Sequence, residues 1–221
     1  MTTIHTIYKK LFTYYGEPQW WPADSPFEVM VGAILTQNTA WQNVEKAIAN
    51  LKQSKMLTPD AILKGDIGEL AAQLKPSGYF NIKAKRLRNY CDWYRGQGEQ
   101  KELSELDTAI LRTELLSVNG VGPETADDIL LYAFNRPVFV IDAYTRRIFS
   151  RLGMIAGDEG YEALRLWFEN HYQTDVSEVE RVEIYRHYHA LIVMHAKAHC
   201  RKKADCDLCP VIKKCRHFTS E

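Results

Sequence analysis

Asp142 is the residue of this chain whose position best suits acid chemistry. It directly follows four apolar residues, Val138-Phe139-Val140-Ile141, and precedes a stretch with helical periodicity. A carboxylate that ends an apolar run is seldom fully solvated. It either caps the next helix or works in a pocket, and the two roles are compatible. Asp142 is therefore a candidate for a functional pocket as well as for a helix cap.

A glycine-rich turn precedes this segment. Asn119-Gly120-Val121-Gly122 is too rich in residues that adopt positive φ to continue a helix, and Pro123 suits a first helical position. The pattern predicts a tight hairpin between two helices. Its backbone N–H groups, at the positive end of the second helix, can hold an anion such as a nucleic-acid phosphate. A Gly-Val-Gly segment can also simply turn the chain.

Four cysteines near the end of the chain form the pattern C-x5-C-x2-C-x5-C: Cys200, Cys206, Cys209 and Cys215. Four soft ligands in one short stretch predict a metal site in a reducing compartment rather than a disulfide framework. Zinc and an iron–sulfur cluster both accept four cysteine ligands, so the spacing leaves the choice open.

Three tryptophans are candidates for stacking. Trp20 and Trp21 are adjacent in an irregular segment, and Trp41 lies near the start of a predicted helix. Paired tryptophans most often pack in a core. Alternatively, their faces stack on a planar ligand, and a positively charged ligand would gain a cation–π energy of roughly 0.5–2 kcal/mol.

These motifs carry a resemblance. NGVGPETADDILLYAF followed by VIDAYTRRIFSRLG resembles the helix-hairpin-helix and Gly/Pro-Asp region of the endonuclease III superfamily of DNA glycosylases. The resemblance implies that the amides of Gly120, Val121 and Gly122 hold a DNA phosphate. It also implies that Asp142 supports cleavage of the N-glycosidic bond of a flipped-out base in duplex DNA.

A second matching segment is LTQNT, which resembles a turn that faces the DNA and the lesion pocket in endonuclease III relatives. The resemblance implies DNA contacts for Gln37 and Asn38. Gln37 is the candidate side chain that fills the gap left by the flipped base, since its amide can donate to and accept from the orphaned partner base. Polar residues here could also simply satisfy helix ends.

The resemblance narrows along WWP, SPFEVMVGAILTQNTAWQNVEKAIANL and LKPSGYFNIKAKRL, which are similar to the 3-methyladenine DNA glycosylase III branch up to about His195. In that branch three aromatic residues sandwich the alkylated base, and the matching positions are Trp20, Trp21 and Trp41. Lys197 aligns with a pocket lysine of the branch, although it is equally a cation at a helix C-terminus.

Position 124 departs from the bifunctional members of the superfamily, which place a nucleophilic lysine two residues after the second hairpin glycine. This chain has Glu124, as the 3-methyladenine branch does. A carboxylate cannot form the Schiff base that leads to strand cleavage, so we expect base excision with weak or no lyase activity. Glu124 could also be an ordinary first-turn helix acid.

The cysteine loop resembles the end of endonuclease III, which carries a 4Fe-4S cluster with one more residue between the first two cysteines. The resemblance favours iron–sulfur over zinc, and it separates this chain from the 3-methyladenine branch pattern. The net charge of the chain is zero, but residues 195–217 contain seven Lys or Arg and only two Asp. In this basic segment we expect phosphate contacts from Arg201, Lys202 and Lys203.

The predicted fold is all-α with two helical lobes and a cleft between them. Residues 23–135 form a helical bundle with the hairpin, and residues 1–22 plus 136–221 form a second lobe that ends in the cysteine loop. Ser25 with Glu28 predicts a capping box, and Thr39, Thr58, Asp66 and Asp107 are predicted to cap further helices. Residues 79–81 are predicted to form a turn. Without a signal peptide or a membrane-spanning apolar run, we expect a cytoplasmic monomer that acts on DNA.

Overall fold

The computed structural model describes residues 3–172 and 176–218. Residues 1–2, 173–175 and 219–221, which belong to the predicted second lobe, lie outside the described residues. Every regular element within the described part is a helix, and this confirms the predicted all-α class. None of these helices is both long and apolar enough to span a membrane.

Numbered in chain order, the α-helices of the described residues are α1 Ile4–Tyr15, α2 Pro26–Leu35, α3 Trp41–Gln53, α4 Pro59–Lys64, α5 Ile67–Gln73, α6 Phe80–Gly96, α7 Glu99–Glu105, α8 Thr108–Ser117, α9 Pro123–Ala133, α10 Ala143–Arg151, α11 Tyr161–Asn170 and α12 Glu178–Ala198. Short 3₁₀ helices occur at Lys75–Ser77 and Ile212–Lys214. The chain divides into two compact units: a central unit, Ala23–Arg136, and a terminal unit, Met1–Pro22 with Pro137–Glu221.

The core of the central unit is the pair α2 and α9. α2 is buried from Glu28 to Leu35, α9 is buried over residues 125–131, and the two helices pack against each other. A helix that is apolar on nearly every side must be covered on every side. The one buried acid of α2, Glu28, pairs with Lys52 Nζ at 2.7 Å, so its charge is compensated.

The core of the terminal unit is aromatic. α12 packs against both α1 and α10. The rings of Phe139 and Phe168 stack with centroids 4.3 Å apart, and Phe149 meets Phe168 edge-on at 4.7 Å. Residues 138–141 are buried in this cluster, which fixes the backbone immediately before Asp142.

Helix starts with a side-chain cap were readily predicted, because the signal is local. The predicted caps accept backbone N–H hydrogen bonds as expected, and they are Ser25, Thr58, Asp66, Asp107 and Asp142. The capping box predicted at Ser25 is only half formed, however. Glu28 Oε2 accepts from the N–H of Asp24 instead, because the same carboxylate turns toward Lys52.

The predicted cap by Thr39 is wrong. The N-cap of α3 is Ala40, which makes no side-chain hydrogen bond, and Thr39 Oγ1 instead accepts from Asn43 Nδ2 at 3.3 Å. The turn predicted at residues 79–81 is also wrong beyond its first residue. Tyr79 is the N-cap of α6, with left-handed backbone at φ 45° and ψ 31°, and α6 begins at Phe80.

Lys83 of α6 is buried, although lysine residues usually lie on the solvated surface. It is 1% exposed, and its Nζ donates to the carbonyls of Leu35 at 2.8 Å and Ser77 at 2.6 Å. Burial, helped by the charge of Arg86, lowers the pKa of the Lys83 ammonium to about 8. This lysine fastens the C-terminal end of α2, and so the turn that carries Gln37, to the loop before α6.

Candidate functional site

The glycine hairpin of the central unit joins α8 to α9 as predicted. Gly120 has φ +100°, in the region that favours glycine, and Gly122 has extended backbone with φ −95° before Pro123 begins α9. The N–H of Val121 donates to Val118 O at 3.0 Å, and its side chain is buried. Val121 therefore supports the turn, and its N–H is already bonded within the hairpin.

The two glycines should respond differently to substitution by alanine. A Cβ at Gly120 would overlap the Arg86 side chain and sit on positive-φ backbone, so Gly120→Ala should cost about 1–3 kcal/mol of unfolding free energy. A Cβ at Gly122 meets open space, so Gly122→Ala should change stability by no more than about 0.5 kcal/mol. Urea unfolding of both variants measures this difference.

Gly122→Ala then isolates the approach of the hairpin to DNA. A methyl group in the space in front of Gly122 would hold a phosphate away from the amides, so binding to duplex DNA should weaken although the fold is intact. Fluorescence anisotropy with a labelled duplex measures the affinity. Unchanged affinity in a stable Gly122→Ala variant would show that the hairpin only turns the chain.

Gln37 is tied to this hairpin. Its Nε2 donates to Gly120 O at 2.9 Å and to Thr125 Oγ1 at 3.0 Å, and its Oε1 accepts from an Arg86 NH group. The same Arg86 side chain covers Gly120. This network could not be inferred from local sequence patterns, because the partners of Gln37 are 49 to 88 residues away along the chain. Asn38 is exposed beside it, with φ 55°.

Asp142 sits at the N-terminus of α10 in the terminal unit and is 8% exposed. Its Oδ1 accepts from the backbone N–H of Thr145 at 2.6 Å, and its Oδ2 lies 3.6 Å from Nε2 of His189. Burial raises the pKa of this carboxyl, but the His189 ring and the Thr145 amide together hold the pKa below its ordinary value. Asp142 is thus a buried carboxylate that stays ionised, and both predicted roles are compatible with its position.

Trp20 lies in the same unit. It is half-buried, its ring meets the His189 ring edge-on with centroids 6.4 Å apart, and Lys197 Nζ lies 6.0 Å from the Trp20 ring centroid. His189, which the sequence analysis missed, therefore contacts both Asp142 and Trp20, and Lys197 lies near the Trp20 ring. The only sequence signal for His189 was a histidine next to the apolar run Ala190-Leu191-Ile192-Val193.

The remaining predicted pocket residues are partly or fully accessible. Trp21 is half-buried in the terminal unit, with φ 55°, and Trp41 is half-buried as the first residue of α3 in the central unit. Glu124 is exposed in the first turn of α9, where a negative charge complements the helix dipole. Its position is compatible with both interpretations that the sequence allowed.

The four cysteines line a single cavity in the terminal unit together with His195 and Arg151. Burial, with the neighbouring thiols of Cys206, Cys215 and Cys200, raises the pKa of Cys209. Within the described residues, no three His, Cys, Asp or Glu side chains are placed to share one metal ion.

Two arginines of α10 hold the cysteine loop. Arg147 Nε donates to Cys200 O at 2.8 Å, and Arg151 donates to Arg201 O at 2.6 Å and Lys202 O at 2.9 Å. Side chains of Arg201, Lys202 and Lys203 remain exposed, and Arg201 pairs with Asp205 at 2.9 Å. The helix that begins at Asp142 thus also fixes the backbone of the basic loop.

A sequence profile of HhH-GPD superfamily base excision DNA repair proteins matches residues 31–172, which include the hairpin and Asp142. The chain belongs to this superfamily. As an HhH-GPD protein it is a base excision repair DNA glycosylase, and the superfamily predicted from the hairpin motif is confirmed. It is 51% identical to a proposed DNA repair glycosylase of Methanocaldococcus jannaschii over 215 residues, which cover 96% of this chain and 95% of the relative.

Other similar proteins include both endonuclease III and a 3-methyladenine DNA glycosylase. Endonuclease III of Sulfolobus acidocaldarius is 27% identical over 87% of this chain and 82% of its own length. The H. pylori 3-methyladenine DNA glycosylase bound to 1,N6-ethenoadenine has a TM-score of 0.73 and 29% identity, covering 86% of this chain and 95% of that one. An endonuclease III–DNA complex has a TM-score of 0.81 over 100% and 98% of the two chains, at 21% identity, and supports the HhH-GPD fold.

Proposed function

We propose that this glycosylase hydrolytically removes an alkylated purine such as 3-methyladenine from duplex DNA, with weak or no lyase activity. The observation that carries the proposal is Glu124, at the position where the resemblance to bifunctional members expects the lyase lysine. It is exposed in the first turn of α9. A carboxylate has no amine with which to attack the sugar. We therefore expect the site to hydrolyse the N-glycosidic bond and to release the base without cutting the strand.

The surroundings of Trp20 support an aromatic or cationic base as substrate. Its ring is half-buried and lies edge-on to the His189 ring, and its indole Nε1 is buried without an acceptor in the described part of the chain. A bound base could supply that acceptor. We assign base stacking to Trp20, Trp21 and Trp41, and gap filling to Gln37, by resemblance to the 3-methyladenine branch. The similar H. pylori enzyme was solved with a modified adenine.

The chemistry asked of Asp142 is modest. An alkylated purine with a positive charge is already a good leaving group, so the glycosidic bond needs help mainly as positive charge develops on the sugar. A buried carboxylate that stays ionised can stabilise that charge or take a proton from water. Selection of the substrate would then fall to the stacking residues.

DNA binding would be shared by separate groups. The amides flanking Val121 would hold a phosphate, and the exposed Arg201, Lys202 and Lys203 would contact other phosphates. Gln37 would have to exchange its bonds to Gly120 and Thr125 for bonds to a base. Because those bonds lie inside one unit, the exchange needs a side-chain rotation and not a refolding of the turn.

The test is single-turnover incubation with methylated duplex DNA, followed by chromatography of the released bases and a strand-scission check. We expect release of 3-methyladenine and intact abasic strands. Release only from duplexes with oxidised or mismatched bases would replace the proposed substrate with an endonuclease III-like one. Silence on every duplex, with DNA binding retained, would favour a damage-sensing protein without catalysis.

We also propose that Cys200, Cys206, Cys209 and Cys215 hold a 4Fe-4S cluster. The donor set fits this group, because four soft thiols line one cavity, and the resemblance of the cysteine loop to endonuclease III favours the cluster over zinc. When bound, the cluster would supply a fixed scaffold rather than bond chemistry. The chain's own contribution is the pair Arg147 and Arg151, whose bonds to the loop carbonyls hold the basic segment in place.

Substitution of one cavity cysteine should remove the metal. Cys206→Ser should lower iron and sulfide per chain well below those of the parent and bleach the visible absorption, because one of four thiolate ligands is lost. Cys91→Ala is the matched control, since Cys91 is a buried thiol of α6 in the other unit and should leave the iron content unchanged. Elemental analysis that finds zinc in place of iron would overturn the cluster assignment.

A further inference from the structure

The Asp142 carboxylate has two anchors on its two oxygens. Oδ1 is held by the Thr145 amide at 2.6 Å, as in any N-cap. Oδ2 faces Nε2 of His189 at 3.6 Å, an ion-pair distance longer than an ordinary hydrogen bond. Contacts of this kind are often long without substrate and shorten when it binds.

His189 is placed to act on the carboxylate rather than on solvent. It is 5% exposed, in the middle of α12, and α12 packs against α10, the helix that Asp142 caps. Its ring also lies edge-on to Trp20. A fixed imidazole can therefore influence both the direction of Oδ2 and the aromatic ring beside it.

The need for such a residue follows from burial. Desolvation alone would raise the pKa of a carboxyl that is 8% exposed and would favour its neutral form, which is useless for stabilising a positive sugar. The contact with His189 is the largest opposing influence, followed by the Thr145 amide. The cap alone leaves Oδ2 without its partner in α12.

We propose that His189 is a positioning residue that orients the Asp142 carboxylate and stabilises its negative charge during base removal. The inference rests on the proposed glycosylase role of Asp142, and it names no lesion. The Thr145 N–H would still donate to Asp142 Oδ1 when His189 is changed, so Asp142 still caps α10 and the effect should be confined to Oδ2.

The test uses two abasic-site analogues in otherwise identical duplexes. A pyrrolidine ring carries a positive charge like the sugar in the transition state, and a tetrahydrofuran ring is its neutral counterpart. We expect the parent protein to prefer the cationic duplex. His189→Leu should reduce that preference about tenfold, equivalent to 1.4 kcal/mol, and leave tetrahydrofuran binding unchanged.

His189→Gln is the rescue variant, because its side-chain amide can donate from near the Nε2 position, and it should keep the preference within about threefold of the parent. In an Asp142→Asn background, His189→Leu should cause no further loss, since the charge it serves is gone. Equal preference in the parent and the folded His189→Leu variant would overturn the inference. So would a parent protein with no preference for the cation.

This design separates the inference from the proposed substrate. The analogues contain no base, so the preference can be measured whatever lesion is excised. Suppose that the preference for the cationic duplex depends on His189 but that 3-methyladenine is not released. The proposal of an alkylated purine as substrate would then be rejected, and the role of His189 would be supported. Release of 3-methyladenine with a preference that His189→Leu does not change would have the opposite meaning.

Discussion

Asp142→Asn should slow single-turnover base release by about 10²–10⁴-fold and leave the fold and DNA affinity intact. The amide oxygen of asparagine can still accept from the Thr145 N–H, which Asp142 Oδ1 does at 2.6 Å, so α10 keeps its cap. What disappears is the negative charge. The rate is measured by chromatography with enzyme in excess, and DNA affinity by anisotropy on a tetrahydrofuran duplex.

Asp107→Asn is the matched control for this experiment. Asp107 also caps a helix, with its carboxylate accepting from the Ala109 N–H at 2.8 Å, but it is exposed at the start of α8. Its variant should keep the parent rate, because losing a capping charge is not the cause of the defect. Full activity of Asp142→Asn would remove Asp142 from the chemistry and leave it as a cap alone.

The sequence predicted those parts of the fold that depend on neighbours in the chain. The starts of α4 and α5 could be predicted, because a cap accepts from an amide only two or three residues away. Their caps are Thr58, before Pro59, and Asp66, three residues before Glu69. Where a side chain binds an atom of a distant residue, its burial and its partner could not be predicted from the sequence. Lys83 resembled a surface cation, yet the carbonyl it binds at Leu35 lies 48 residues away.

The candidate site shows the same division. Asp142 could be chosen from sequence because its signal, an acid after an apolar run, is contained in five consecutive residues. His189 could not, because nothing near it in the chain shows that α12 places it beside the start of α10. The bonds from Gln37 to Gly120 and Thr125 were hidden for the same reason, although each residue was visible as part of a motif.

Among the substitutions considered, breaking the buried ion pair between Arg112 and Asp127 should cause the largest loss of unfolding free energy. Arg112 Nε lies 2.7 Å from Asp127 Oδ1 and NH2 lies 3.2 Å from Oδ2, and the Asp127 side chain is 0% exposed. The pair joins α8 to α9, the helices on either side of the hairpin. Arg112→Leu would leave a fully buried carboxylate without this partner, so we expect a loss of about 3–5 kcal/mol in unfolding free energy.

Two further variants test whether the loss of stability comes from the Asp127 charge once the Arg112 guanidinium has been removed. Arg112→Leu combined with Asp127→Leu should recover most of the stability, because removing both charges also removes their desolvation cost. Lys64→Leu is the surface control: its pair with Asp60 is i,i+4 and exposed, so the change should be no more than about 1 kcal/mol. Urea unfolding monitored by circular dichroism gives all three values.

The double variant also reports on the hairpin. If the ion pair mainly sets the angle between α8 and α9, the Leu–Leu variant should be stable yet bind duplex DNA less tightly, because the amides beside Val121 lose their alignment. Stability and DNA affinity that recover together would instead assign to the pair only the compensation of its own charges. A loss below about 1 kcal/mol in Arg112→Leu would contradict the prediction, since Asp127 would then be satisfied without the guanidinium.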